Sequence, residues 1–263
     1  MLLALDIGNT ETTIGLFQRQ QPCGSWRLTT TPSRTPDEWA SALTAYLAQA
    51  GHSTQEIRAA ILASVVPPVT LTISEAVELA TTVRPVVVDG RSPLPIRLDV
   101  AEPLTVGADR IVNTLAAAQL FKADTVVVDF GTATTFDCIT ADARFIGGVI
   151  MPGIRTAADE LVRKTAKLPA TELSPPSQVI GKRTEDCIRS GVLFGTTDAV
   201  DGLIRRIRAE WPGAREGGAA PRAIATGGLA GLIAPLSREI ESVYPDLTLT
   251  GLRFAATALG LIW

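Results

Sequence analysis

The chain has 263 residues, 24 Lys and Arg against 27 Asp and Glu, a net charge of −3 and 46% hydrophobic residues. That is enough core for one large domain or two modest ones, and the composition excludes a disordered chain. With no basic face, neither a nucleic-acid partner nor an anionic membrane surface is expected.

In chain order, residues 2–5, 12–17 and 25–29 read as three short strands separated by Gly-containing turns, a β-meander. Residues 36–49 carry Trp39, Leu43, Tyr46 and Leu47 on one helical face. Residues 58–66 form an apolar strand stopped by Pro67 and Pro68, and 71–80 return to helical spacing. A strand at 85–88 leads into a Pro-rich connector over 89–103, and 106–121 is a helix through Ala108, Ile111, Val112, Leu115 and Ala118. The pattern then restarts. Strands are expected at 125–129, 134–140 and 145–150, helices at 155–163 and 187–209, a strand at 222–225 and a closing helix at 252–261. The 165–181 stretch, with Pro169, Pro175 and Pro176, is a long loop of the kind that walls a site. Each half is thus a β-meander followed by alternating α and β, with lobes expected at 1–120 and 121–263.

Three cysteines, Cys23, Cys138 and Cys187, lie far apart and read as reduced thiols. The single histidine, His52, sits beside Gly51 in a turn-like stretch, which leaves acid–base chemistry to a carboxylate. Met1 to Leu5 is apolar, but Asp6 interrupts it too early for a signal-peptide core. No apolar run approaches the roughly 18 residues of a membrane span, so the cytoplasm is the expected compartment.

Two segments repeat one device. Asp6-Ile7-Gly8-Asn9-Thr10-Glu11-Thr12-Thr13 and Asp129-Phe130-Gly131-Thr132-Ala133 each follow a short apolar run. A strand that delivers a carboxylate into a Gly/Thr turn can hold a metal-bound phosphate through N–H and O–H donors. Alone, such a cluster is equally a hairpin turn. Its recurrence points to two related lobes with a nucleotide cleft between them. Asp6 is the better magnesium or water-mediated ligand, and Asn9, Thr10 and the backbone near Thr12 and Thr13 can donate to phosphates. There is no G-x-x-x-x-G-K-[ST] sequence and no G-x-G-x-x-G at the first strand, against a P-loop or a dinucleotide fold. Thr226-Gly227-Gly228 is a further close-approach turn, suited to letting an adenosine lie against the backbone and explained about as well by a helix start. Gly107-Ala108-Asp109-Arg110 puts an Asp and an Arg at a helix beginning. They read either as a solvated Asp with an exposed Arg, or as a general base beside a guanidinium for an acceptor's carboxylate.

These residues resemble the type III pantothenate kinases, members of the actin-like (ribonuclease-H-like), sugar-kinase-like ATPase superfold. The resemblance is carried by D-x-G-N-T at 6–10, G-x-D-R at 107–110, D-x-G-T-A at 129–133, G-G-x-I-x-P-G at 147–153, T-x-x-x-I-x-S-G at 184–191 with Gly195 beyond it, and A-T-G-G at 225–228. It implies ATP-dependent phosphorylation of pantothenate to 4′-phosphopantothenate, the first step of coenzyme A biosynthesis. It further implies ATP contacts from Asp6, Ile7, Gly8, Asn9, Thr10, Glu11, Thr12, Thr13 and Thr132. Gly107, Ala108, Asp109, Arg110 and Thr184 become pantothenate contacts, Asp109 the proton acceptor, and Asp129 a ligand for a monovalent cation, K+ or NH4+. Mg2+ accompanies ATP. A homodimer is implied, with the apolar 188–203 stretch at its contact. The family often carries a Tyr shortly before G-x-D-R; here residues 98–103 hold no aromatic. The competing readings are another small-molecule kinase of this superfold and a non-catalytic, nucleotide-binding transcriptional accessory factor.

Overall fold

The computed structural model describes residues 1–214 and 217–263, which form two compact units: Met1–Leu120 with Leu247–Trp263, and Phe121–Asp246. In the first unit β1 (Leu2–Ile7), β2 (Glu11–Gln18) and β3 (Gln21–Thr29) make the expected antiparallel meander. β1 also pairs in parallel with β4 (Ala59–Ser64), and β4 with β5 (Val86–Val88), giving the order β3-β2-β1-β4-β5.

Side chains alternate along a strand, so β1 supplies both faces of this sheet. Leu3, Leu5 and Ile7 meet Trp39, Leu43 and Leu47 of α1 (Pro36–Gln49) and Val69, Ile73 and Val77 of α2 (Pro67–Thr81). Leu2 and Ala4 face the other way, with Ile61 and Ala63, onto Ile111, Val112 and Leu115 of α3 (Ala108–Phe121). Helix α1 begins with a capping box. The Glu38 N–H donates to Thr35 Oγ1 at 3.3 Å, and the Thr35 N–H donates to Glu38 Oε2 at 2.7 Å. Helix α2 starts four residues earlier than its periodicity suggests. Pro67 and Pro68 open it rather than merely stopping β4, since the first turn of a helix has no use for their missing N–H groups. The connector before α3 holds a two-residue strand, β6 (Arg97–Leu98), and a 3₁₀ turn at Pro103–Thr105.

The second unit repeats the plan. β7 (Thr125–Phe130), β8 (Ala133–Ile139) and β9 (Arg144–Pro152) form a meander, and β10 (Arg222–Thr226) and β11 (Ser242–Val243) extend it in parallel on the β7 side. Val126, Val128 and Phe130 pack on Ile154 of α4 (Ile154–Lys164) and on the segment from 184 to 210. That segment, expected as one helix over 187–209, is α5 (Thr184–Arg189), a π-type turn (Ser190–Phe194) and α6 (Gly195–Glu210). A short helix, α7 (Ala230–Ile233), follows β10. Asp124 fastens the start of β7, accepting from Trp211 Nε1 and from the Ala141 N–H, each at 2.7 Å.

The closing helix corrects the sequence reading twice. It is α8, Leu247–Ala258, not 252–261, and it belongs with the first unit, not with a lobe running from 121 to 263. Leu249, Leu252, Ala255 and Ala256 join the cluster of Leu2, Ala4 and Leu115. A Cβ on Gly251 would stand 2.1 Å from the Val112 carbonyl oxygen, so α8 lies against the α3 backbone itself. Periodicity marks an apolar helix face but not the sheet that takes it.

Candidate active site

Asp6 is the last residue but one of β1, flanked in register by Thr13 of β2 and Ala63 of β4. The turn after it is closed by the Gly8 N–H donating to the Glu11 carbonyl at 3.0 Å. Asn9, Thr10 and Glu11 are exposed at its tip, where their donors can meet a ligand. Ile7 and Thr12 are placed otherwise. Ile7 is core, and Thr12 is fully buried with its hydroxyl 2.9 Å from that of Thr30.

The first turn of α3 comes to the same end of this sheet. A Cβ on Gly107 would lie 3.4 Å from Val65 Cγ1, and the Val65 N–H donates to the Ile7 carbonyl at 3.1 Å. Gly107 through Arg110 therefore sit beside the carboxyl ends of β1 and β4, where open α/β sheets bind ligands. Asp6 continues the row of Leu2 and Ala4, the face that α3 covers. A Cβ on Gly107 would fall 2.5 Å from Asp109 Oδ1, so a side chain there would displace that carboxylate. Asp109 is partly buried, and its Oδ1 accepts the Arg110 N–H at 2.8 Å. Burial pushes its carboxyl above the ordinary range, while that hydrogen bond and the Arg110 charge pull it back. A carboxyl raised this way is a stronger proton acceptor once ionised.

In the second unit Asp129 holds the same place on β7, between Thr135 of β8 and Thr226 of β10. Its turn is one residue shorter: Phe130 pairs with Thr134, where Ile7 pairs with Thr12. Thr132 is exposed, and its carbonyl accepts the Gly153 N–H at 3.1 Å and the Thr156 hydroxyl at 2.7 Å. A Cβ on Gly153 would lie 2.3 Å from that carbonyl, which explains the glycine ending the 147–153 motif. Gly227, at φ +90°, leans on Asp129 so closely that a Cβ would stand 2.4 Å from Oδ1. Sequence reasoning gave Gly153 no role beyond its motif, read Gly227 as a close approach for an adenosine rather than for Asp129, and missed Thr156 altogether, because an isolated Thr in a helix start carries no signal.

The glycine cradle and the hard oxygen donors around Asp129 fit a monovalent cation. Among the described residues no group of three or more His, Cys, Asp or Glu forms a metal site. Thr184 is exposed at the first position of α5, whose end is tied to the 165–183 loop by Ser190 Oγ donating to the Val179 carbonyl at 2.6 Å. It is not part of the Asp129 turn. Within the 188–203 stretch Ile188, Leu193 and Val200 are buried, the last two in the core of this unit. No helix among the described residues is long and apolar enough to cross a membrane.

Two mixed α/β sheets of one topology, each ending its first strand in an Asp and a glycine turn, are the architecture of an actin-like ATPase. Solved structures agree on this fold. The chain aligns with a Campylobacter jejuni protein of the Baf transcriptional-activator family at TM-score 0.60 and 18% identity, covering 97% of each chain. It aligns with the activator of the 2-hydroxyisocaproyl-CoA dehydratase from Clostridium difficile, solved with bound ADPNP, at TM-score 0.52 and 11% identity, covering 99% and 93%. The family is set by sequence: the type III pantothenate kinase model matches residues 2–206, and the chain belongs to that family. The type III pantothenate kinase of Thermomicrobium roseum is 45% identical over 255 residues, spanning 97% of this chain and 96% of that one. That of Dehalococcoides mccartyi is 44% identical, spanning 96% and 94%.

Proposed function

We infer that the protein transfers the γ-phosphoryl group of ATP to the primary hydroxyl of pantothenate, giving 4′-phosphopantothenate and ADP. The observation that carries this reading is the meeting of Asp109 with the β1 end. A partly buried carboxylate at a helix start lies next to the strand whose Asp6 leads into the Gly8–Glu11 turn. Asp109 accepts the hydroxyl proton as the hydroxyl oxygen bonds to phosphorus and the bond to the β-phosphate oxygen breaks. Arg110 takes the carboxylate of pantothenate, and Thr184 contacts the rest of that substrate. The Asn9 amide, the Thr10 hydroxyl and the Glu11 backbone N–H would bind phosphate oxygens, Asp6 would hold the Mg2+ that travels with ATP, and Thr132 would add a nucleotide contact. Phosphoryl transfer of this kind depends on alignment and charge neutralisation more than on covalent chemistry.

Asp129 would hold K+ or NH4+, which adds positive charge to the site when bound. A homodimer and a cytoplasmic setting complete the reading; three free thiols suit a reducing compartment. The test is purified protein with ATP, Mg2+ and pantothenate, with and without K+, beside a panel of sugars. Formation of 4′-phosphopantothenate and ADP is expected. Transfer to a sugar instead would select another kinase of the superfold, and ATP binding with no acceptor consumed would select the accessory factor.

A further inference from the structure

The two halves are alike in topology, and their differences are therefore informative. At the first-strand Asp the flanking residues in register are Ala63 and Thr13 in one unit, Thr226 and Thr135 in the other. Residues opposite one another on neighbouring strands point to the same side of a sheet. So Asp129 stands in a row of three oxygen-bearing side chains, Thr226–Asp129–Thr135, where Asp6 has an alanine on its β4 side. Asp137, fully buried two residues beyond Thr135, is on this face as well.

Thr226 is the unexplained member. It is 1% exposed, and its Oγ1 finds no hydrogen-bond partner among the described residues. A hydroxyl buried without a partner is costly, and a valine of the same shape would avoid the cost. Such a hydroxyl does not by itself mean a ligand: Thr134 Oγ1 is in the same state, but opposite Phe130 on the side of the apolar cluster. What distinguishes Thr226 is its neighbour. The next residue, Gly227, is the one whose absent side chain leaves room against Asp129 Oδ1.

We propose that Thr226 Oγ1 is a ligand of the monovalent cation held at Asp129, and that the β10 end, through Thr226 and the Gly227 cradle, sets the affinity of that site. This rests on Asp129 being the cation ligand, but not on the identity of the acceptor. A hydroxyl presents a lone pair to K+ at no charge cost, as backbone carbonyls do. The orphaned hydroxyl is then satisfied only when the ion is present, which makes the ion a stabilising ligand of the folded protein.

The experiment is a thermal-unfolding titration with KCl against choline chloride at constant ionic strength, on the parent, Thr226→Val, Thr226→Ser and Asp129→Asn, with no nucleotide or pantothenate. The parent Tm should rise with K+ and the Asp129→Asn Tm should not. In Thr226→Val the K+ midpoint should move up about ten- to a hundredfold, as for loss of one hydrogen-bonding partner of a charged group. Its Tm without K+ should equal or exceed the parent's, and Thr226→Ser should stay near the parent. A parent-like K+ response in Thr226→Val, or a lower Tm without K+, overturns the proposal. A parent that ignores K+ overturns the cation site as a whole, and pantothenate phosphorylation, measured separately, decides the kinase reading.

Discussion

Asp109→Asn separates chemistry from folding, because the structure gives it opposite signs in the two. The amide keeps an oxygen to accept the Arg110 N–H now donated to Oδ1 at 2.8 Å, so the helix start is preserved. What it loses is the ability to take a proton. Removal of a general base lowers turnover about 10²- to 10⁴-fold, equivalent to about 3–5 kcal/mol of barrier. The folded-state carboxyl is raised, chiefly by burial. Between the ordinary Asp range and that raised value the native protein binds more protons than the unfolded chain. Stability from this group is thus greatest at low pH and is lost as pH rises through the raised value. Above that raised value the charged, partly buried carboxylate is a cost, which Asn removes. The assay pairs a coupled ADP readout with thermal unfolding at pH 7 and in the acid range. Turnover should collapse with the ATP KM little changed, Tm at pH 7 should equal or exceed the parent's, and the advantage should shrink toward low pH. Parent turnover itself should fall as pH drops and Asp109 is protonated. Near-normal turnover in Asp109→Asn would refute its role as base, and a Tm loss of several degrees at pH 7 would refute the desolvation argument.

Gly251→Ala reverses the usual gain from replacing a helical glycine: with a Cβ 2.1 Å from the Val112 carbonyl, α8 must shift, and about 1–3 kcal/mol of stability should be lost by denaturant titration. Gly227→Ala imposes a side chain at φ +90° and displaces Asp129 Oδ1; a cost of about 1–3 kcal/mol is expected, together with a weaker K+ response, and an unchanged Tm would count against the cradle. Thr35→Ala removes the α1 capping box and should cost about 1 kcal/mol without touching turnover.

Most of the framework was legible because it rests on local rules. The apolar run at 2–5 and the helical row of Trp39, Leu43 and Leu47 announced a strand and a helix that share one cluster through Leu3 and Leu5. Two Asp-x-Gly turns announced the repeated meander. What stayed hidden depended on long-range partners. Pro67 looked like a stop because a proline ends a strand and begins a helix by the same lack of an N–H. The pairing of the Thr12 hydroxyl with that of Thr30, eighteen residues on, has no local signal. Which face of the 188–203 stretch enters the core of its own unit, through Leu193 and Val200, is likewise set by strands far away in the chain.

The site's assignments differ in how far local sequence could reach them. Gly107 and Asp109 are two residues apart in the chain, so their mutual constraint lies inside one motif. Asp129 and Gly227 are nearly a hundred residues apart and meet only because β10 pairs in parallel with β7. Parallel pairing is also what separates the twin devices. Each first-strand Asp receives its outer neighbour from a strand that arrives after a helical crossover, and this neighbour is Ala63 in one unit and Thr226 in the other. A duplicated hairpin can therefore keep its Asp and glycine turn while the crossover strand changes what the Asp holds. Phosphate contacts would then follow the hairpin, which is shared, and cation affinity the crossover strand, which is not.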